Sequence, residues 1–395
     1  MALQPAAGVR DLNPREVDRN RRLCEQLAEV YRLWGYQEVA PPTIERLDTL
    51  EAGGAIDERE LMRLVADEPL GLRPELTASI ARAASTRMAD RPRPLRLWAC
   101  GVTFRSAIGE GGNLRVSEEL QSGVELLGVP SAAADSELMH LLLAAVGTLE
   151  LASEHRPTLL VGHHGLLSAL LSQVPDEQRS AARHALTDFD PLALGALALP
   201  DSQRQRLMAL IGLRGEPVRV LYQLEQWLGP VPLLESLATT LASVQEPAAA
   251  RGVRLQLDPT FQPHFDLYDG LVFKLVCQGA DAPVAIASGG RYDGLVGRFC
   301  GDTAQAAGTG FGFDVEAIRD LLEPASNAPA EAAAPGPWLV ASTTAAGLGA
   351  ALQRMTELHR RGEAAELCTR PCADQAVAER LAAERGCRGA LWLPA

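Results

Sequence analysis

The distribution of strand-like segments constrains this chain more than any other feature. Runs at 96–105, 118–127, 265–277, 284–288 and 308–315 alternate or stay apolar as strands do, and they fall into two groups. Between the groups, 176–213 and 218–250 carry helical spacing with few strand signals. The pattern predicts a mainly antiparallel sheet interrupted by a helix-rich insertion over 131–255. Further helices are expected at 14–34, 76–88, 136–151, 166–171 and 318–322. In the first of these, Leu23, Leu27, Val30, Tyr31 and Trp34 recur at spacings of three and four. Pro41-Pro42 then forces an extended segment.

A second boundary lies at 323–337, where Ala, Pro and Gly dominate and apolar periodicity disappears, the composition of a linker. Strand-like runs at 338–342, 365–368 and 389–393 follow, with helical patterns at 346–361 and 374–385 between them. They imply a small α/β domain over 338–395. The expected organisation is therefore a core built from 1–130 and 256–322, the insertion 131–255, the linker and this tail.

Apolar residues make up 47% and charged residues 22% of the 395, which excludes a mainly disordered chain. The net charge of −13 argues against a sequence-independent grip on nucleic-acid phosphates, and no nucleic-acid partner is expected. Lys274 is the only lysine, so a Walker-type phosphate loop, which requires its own Lys, is excluded. The N-terminal residues show neither a basic nor an apolar leader region, and no apolar run reaches 18 residues. A cytoplasmic protein with seven reduced cysteines and no membrane association is the expectation. Cys368 and Cys372 lack a second ligand pair, so they read as packing thiols; no metal and no cofactor is called for.

Three segments carry possible chemistry. Along 118–127, alternation places Glu119, Gln121, Gly123 and Glu125 on one face and Leu120, Ser122, Val124 and Leu126 on the other. Two acids, an amide and a gap without a side chain suit a small cationic ligand; on pattern alone, a sheet with one wet face is the reading that comes first. Asp266, Tyr268 and Gly270 share a face in the next strand group, and the strand at 284–288 runs into Gly289-Gly290-Arg291-Tyr292-Asp293-Gly294. Glu75, in Leu72-Arg73-Pro74-Glu75-Leu76-Thr77, precedes a helix, where a carboxylate also serves as a cap. His163-His164-Gly165 has no partner acid or thiol nearby and reads as a solvated loop.

Taken in order, 8–12 (Gly8-Val9-Arg10-Asp11-Leu12), 72–78, 100–105 through 121–128, 266–273, 288–296 and 308–318 resemble the class II aminoacyl-tRNA synthetases, specifically histidyl-tRNA synthetases. The resemblance covers roughly residues 8–320. It implies an α+β fold, a class II synthetase-like antiparallel sheet flanked by helices, with the helical insertion and the small α/β C-terminal domain. It also implies a histidine pocket. Glu75 and Thr77 match the pair that holds the α-amino group, Gln121 and Glu125 match the pocket strand, and Tyr268 and Tyr292 match the tyrosines around the imidazole.

The resemblance implies damage to the adenylation machinery. An arginine expected three residues before Asp266 is Pro263, and the arginine that ends the last motif is Ala317. Arg105 remains as a residual phosphate-site residue. Losing one electrostatic contact to a transferring group typically costs about 10²–10³ in rate, so two such losses leave little adenylation. No catalytic residue is therefore assigned. Such a core is similar to the regulatory subunits of ATP phosphoribosyltransferase, inactive paralogues of the synthetase. That likeness implies a short-form catalytic subunit as partner, L-histidine as effector, and a homodimer within a hetero-oligomer. A working histidyl-tRNA synthetase and a histidine sensor in another complex remain the alternatives.

Overall fold

Local signals set the first helix. Asn13 Oδ1 accepts from the N–H groups of Arg15 and Glu16 at 2.9 and 3.1 Å, and the Glu16 carboxylate accepts from the Asn13 N–H at 2.7 Å. This reciprocal cap, with Pro14 in the first turn, starts α1 (Pro14–Leu33). The expected stripe of Leu23, Leu27, Val30 and Tyr31 is buried. The computed structural model describes residues 4–52, 60–108, 114–262, 267–301, 306–322 and 336–394. The chain divides into two compact units, 1–323 and 324–395.

In the first unit α1 leads to β1 (Gln37–Glu38), β2 (Ile44–Arg46), α2 (Leu47–Ala52), β3 (Leu70–Leu72) and α3 (Thr77–Ser85). The hairpin β4 (Leu95–Ile108) and β5 (Leu114–Leu127) follows, then α4 (Ala132–Val146) and β6 (Thr158–His163). Six helices come next: α5 (His164–Leu171), α6 (Asp176–Thr187), α7 (Pro191–Ala196), α8 (Asp201–Gly212), α9 (Pro217–Leu228) and α10 (Pro232–Ala250). The chain returns through β7 (Arg254–Leu257), β8 (Leu271–Gln278), β9 (Pro283–Arg291), α11 (Asp293–Phe299), β10 (Gly308–Asp314) and α12 (Val315–Leu321).

Eight strands form one sheet in the order β1-β4-β5-β10-β9-β8-β6-β7. Neighbours are antiparallel except at the two edges, where β1 runs parallel to β4 and β7 to β6. One face packs on α1, α4 and α12 through Leu27, Val124, Leu138, Leu142, Phe313 and Ile318. Burying each such leucine contributes about 1.5–3 kcal/mol. Under α3 and α11 the opposite face carries a smaller cluster of Ile80, Leu97, Ala99, Leu127, Tyr292 and Leu295.

The antiparallel, helix-flanked sheet agrees with the sequence reading, with three corrections. The stretch 131–255 is not purely an insertion. It supplies β6 and the start of β7 to the main sheet, and α4 to its core. The short apolar run Thr158–His163 lacks the alternation that marks a half-buried strand, because both its faces are covered. Tyr268 lies before β8 rather than within it, and Pro263 and Asp266 lie outside the described residues. Lastly, His163 is not in a solvated loop. It ends β6, its Nδ1 accepts from the Gly165 N–H at 3.0 Å as the cap of α5, and burial lowers its pKa to about 4.

The second unit holds β11 (Trp338–Ser342), α13 (Leu348–Arg360), β12 (Ala365–Leu367), α14 (Gln375–Glu384) and β13 (Gly389–Leu393). Its sheet is parallel in the order β12-β11-β13. Cys368 and Cys372 are buried in its core beside Leu339, Ala378 and Ala382. Among the described residues no helix is long and apolar enough to cross a membrane.

Candidate functional site

A cavity opens on the α3 side of the sheet, where β5 and β10 run side by side. It encloses about 620 Å³, its open mouth included. Glu75, Thr77, Arg105, Gln121, Glu125 and Tyr268 line it, together with Gly123, Ser288 and Gly312. Strand alternation along β5 therefore delivers Gln121, Gly123 and Glu125 to one cavity, while Ser122, Val124 and Leu126 are buried on the opposite face. Glu119, placed on the same face by that alternation, is not part of the lining.

Glu125 is 4% exposed. Its carboxylate accepts a hydrogen bond from the Tyr292 hydroxyl. Burial pushes the Glu125 pKa up to about 8; hydrogen bonds from the Thr77 and Tyr292 hydroxyls oppose the rise and the charge of Glu75 adds to it. The family resemblance implies that Tyr292 stands beside the imidazole. Instead it is 1% exposed, stands behind Glu125 and does not line the cavity. Burial and the adjacent Glu125 also raise the Tyr292 pKa.

Glu75 serves as a cap. Its Oε1 accepts from the Ala78 N–H at 2.9 Å, and its Oε2 accepts from the Thr77 N–H, at the start of a helix whose N-cap residue, Leu76, makes no side-chain bond. The capping role and the ligand role coexist, because the same carboxylate lines the cavity. Burial raises the Glu75 pKa against these backbone bonds. Arg105 on β4 donates through Nε to the Pro74 carbonyl at 3.3 Å, which ties it to the same turn.

Glycines that the strand pattern alone does not single out make room for these groups. A Cβ on Gly310 would sit 1.7 Å from Glu125 Oε2, one on Gly308 would sit 2.4 Å from the Tyr292 ring, and one on Gly290 would sit 2.7 Å from the Tyr268 ring. Gly310 faces Glu125, and Gly312 faces Gly123, across the β5–β10 ladder. The signal is glycine at every second position of Gly308-Thr309-Gly310-Phe311-Gly312, three successive positions of one strand face without side chains. Arg291 proves structural. It is 8% exposed and bonds Asp135 at 2.9 Å, Asp293 at 3.1 Å and the Ser131 carbonyl at 3.0 Å, tying the end of β9 to the start of α4.

Two carboxylates, two hydroxyls, an amide and a phenol surround a space in which, among the described residues, Arg105 is the one cationic side chain of the lining. Among the described residues no cysteine or histidine stands in that lining. The chemistry suits binding a small ligand with cationic nitrogen donors. Ala317 lies in the first turn of α12, where its N–H donates to Asp314 Oδ1 at 2.9 Å. The nearby Arg319 does not replace the missing arginine. It is 2% exposed and engages Asn20 of α1, Glu316 and Asp320.

The family model described as histidyl-tRNA synthetase matches residues 8–318. The chain is also 52% identical, over 100% of both sequences, to a protein of Synechococcus sp. (strain RCC307) named ATP phosphoribosyltransferase regulatory subunit. It belongs to that regulatory-subunit family, on the histidyl-tRNA synthetase fold. A crystal structure from Bacillus halodurans, titled ATP phosphoribosyltransferase regulatory subunit/histidyl-tRNA synthetase, superposes with a TM-score of 0.82 at 25% identity, covering 100% of this chain and 99% of that one. The histidyl-tRNA synthetase of Nostoc sp. PCC 7120 shares the fold at a TM-score of 0.76 and 17% identity, covering 100% and 92%. All the cavity residues named above fall inside the synthetase-like region. The second unit lies beyond that region but within the full-length alignment to the regulatory subunit.

Proposed function

We propose that this chain is the non-catalytic regulatory subunit of an ATP phosphoribosyltransferase, acting with a short-form catalytic subunit at the first step of histidine biosynthesis. L-histidine is the effector of its cavity and conveys feedback inhibition. One observation carries the reading: a synthetase-type core keeps a cavity walled by Glu75, Thr77, Gln121, Glu125 and Tyr268, while Ala317 stands where the synthetase pattern needs an arginine. Pro263 in the sequence adds a second such loss. A carboxylate against a bound ammonium or imidazolium gives charge-assisted hydrogen bonds of about 1.5–3 kcal/mol, so the cavity favours the amino acid without a means to activate it.

The test uses the chain reconstituted with its catalytic subunit. In Tyr268→Ala, phosphoribosyl transfer persists and the histidine concentration for half-inhibition rises about tenfold or more. Unchanged inhibition would place feedback elsewhere. Histidine-dependent pyrophosphate exchange with ATP stays at the no-enzyme level, and measurable exchange would favour the synthetase instead. The chain is proposed to form a homodimer within the hetero-oligomer, in the cytoplasm. The segment Pro41–Glu45, with Ile44 49% exposed, is a candidate contact, and a monomer mass by light scattering at micromolar concentration would overturn it.

A further inference from the structure

Outside the cavity, two thiols approach each other between α1 and β4. The sulfurs of Cys24 and Cys100 lie 3.0 Å apart, 76 positions apart in sequence. Cys100 is exposed and Cys24 is half-buried beneath it. A disulfide needs sulfurs about 2.05 Å apart, so closure asks for a movement of about 1 Å shared between two side chains. Trp98 packs on Tyr31 of α1 at a ring separation of 5.9 Å, and two residues along β4 the same alternation places Cys100 on that face. The neighbouring Gly101 pairs in register with Gln121, whose side chain lines the cavity on the other face.

We propose that Cys24 and Cys100 form a redox-active dithiol that closes, by exchange with a low-molecular-weight disulfide, into a staple holding α1 against the strand behind the cavity. The contact with Cys24 lowers the Cys100 thiol pKa and the Arg73 guanidinium adds to this, against burial and Glu38. Cys100 is thus the attacking thiolate, and Cys24 resolves it. The Cys100 thiolate attacks one sulfur of the oxidant and its S–S bond breaks, releasing one thiolate that takes up a proton. Cys24, giving its proton to solvent, then attacks the Cys100 sulfur of the mixed disulfide and expels the second thiolate. Two protein thiols are oxidised by two electrons, and one disulfide is reduced to two thiols. The other close pair, Cys368 and Cys372 at 3.6 Å, is buried in the second unit and shielded from such a reagent.

The experiment incubates the full chain with graded ratios of glutathione disulfide to glutathione. It follows free thiols, intact mass and disulfide-linked peptides. The expected product has lost two thiols and the mass of two hydrogens, carries no glutathione and contains a Cys24–Cys100 peptide. Closing a loop of this length should raise the melting temperature by about 5 °C or more, reversed by reductant. Cys24→Ser should stop at one glutathione on Cys100, and Cys100→Ser should retain all its remaining thiols. Glutathione left on Cys100 of the unaltered chain, oxidation confined to Cys368 and Cys372, or no thiol loss at the most oxidising ratio would each overturn the proposal.

Discussion

Glu125 offers a test of the cavity in which ligand binding and proton release must move together. With a pKa of about 8, set by burial, roughly nine in ten empty cavities hold the neutral acid at pH 7. A ligand that brings a cationic nitrogen against this carboxylate favours its ionised form. An opposite charge at about 4–6 Å lowers a carboxyl by roughly 1–3 pH units, which takes Glu125 to about 6 when bound. Binding L-histidine at pH 7 should then release roughly 0.8 of a proton, and affinity should rise about fivefold between pH 7 and 8. The sign follows from the raised value: ionisation costs free energy below about pH 8 and costs none above it.

Calorimetry in two buffers of different ionisation enthalpy reads the released proton directly. Glu125→Gln removes this titrating group, so binding weakens about tenfold or more, and both the proton release and the rise in affinity from pH 7 to 8 shrink. A buffer-independent enthalpy at pH 7 together with an unchanged affinity at pH 8 would refute the reasoning. It would mean either that the ligand does not meet Glu125 or that the carboxyl is already ionised.

The same residue predicts the stability of the empty chain. Its folded pKa of about 8 lies above the ordinary 4.5, so the stability of the neutral form is lost as pH rises through that window. From pH 5.5 to 8.5, urea unfolding of the parent should lose about 3 kcal/mol more than that of Glu125→Gln; parallel pH profiles would contradict this. Asp135→Ala leaves Arg291 buried with only Asp293 and backbone carbonyls, and should destabilise by about 3–5 kcal/mol by denaturant unfolding. A loss under 1 kcal/mol would mean the ion pair is dispensable.

The sheet was legible because its central strands advertise themselves. In β5 the polar and apolar positions alternate, and in the structure they part onto opposite faces. Thr158–His163 was illegible for the opposite reason: covered on both faces, it carries no alternation. Glu75, Gln121 and Glu125 could be gathered from their strand face and motif order. The role of Tyr292 could not, because its place behind Glu125 depends on the turn from β9 into α11 and on the missing side chain at Gly308. The glycines of β10 were visible as letters, yet only the register Gly310 to Glu125 gives them meaning.

The cavity is costly to an empty fold. Gly310 gives up a side chain so that a carboxylate can occupy its space, and burial then penalises that carboxylate's charge. The neighbouring Glu75 compounds the penalty, and among the described residues the only cation of the lining is Arg105. Packing alone would favour filling such a space with apolar side chains, since replacing buried charged groups by apolar ones is often neutral or stabilising. A cationic ligand reverses the balance by partnering the carboxylates. At a hundred times its dissociation constant, a ligand stabilises the state it binds by about 2.7 kcal/mol, close to the 3 kcal/mol that Glu125 withholds across the same pH window. The cavity is therefore most coherent as a site whose occupied state is the relaxed one, which is what a sensor of a small amine-bearing effector requires.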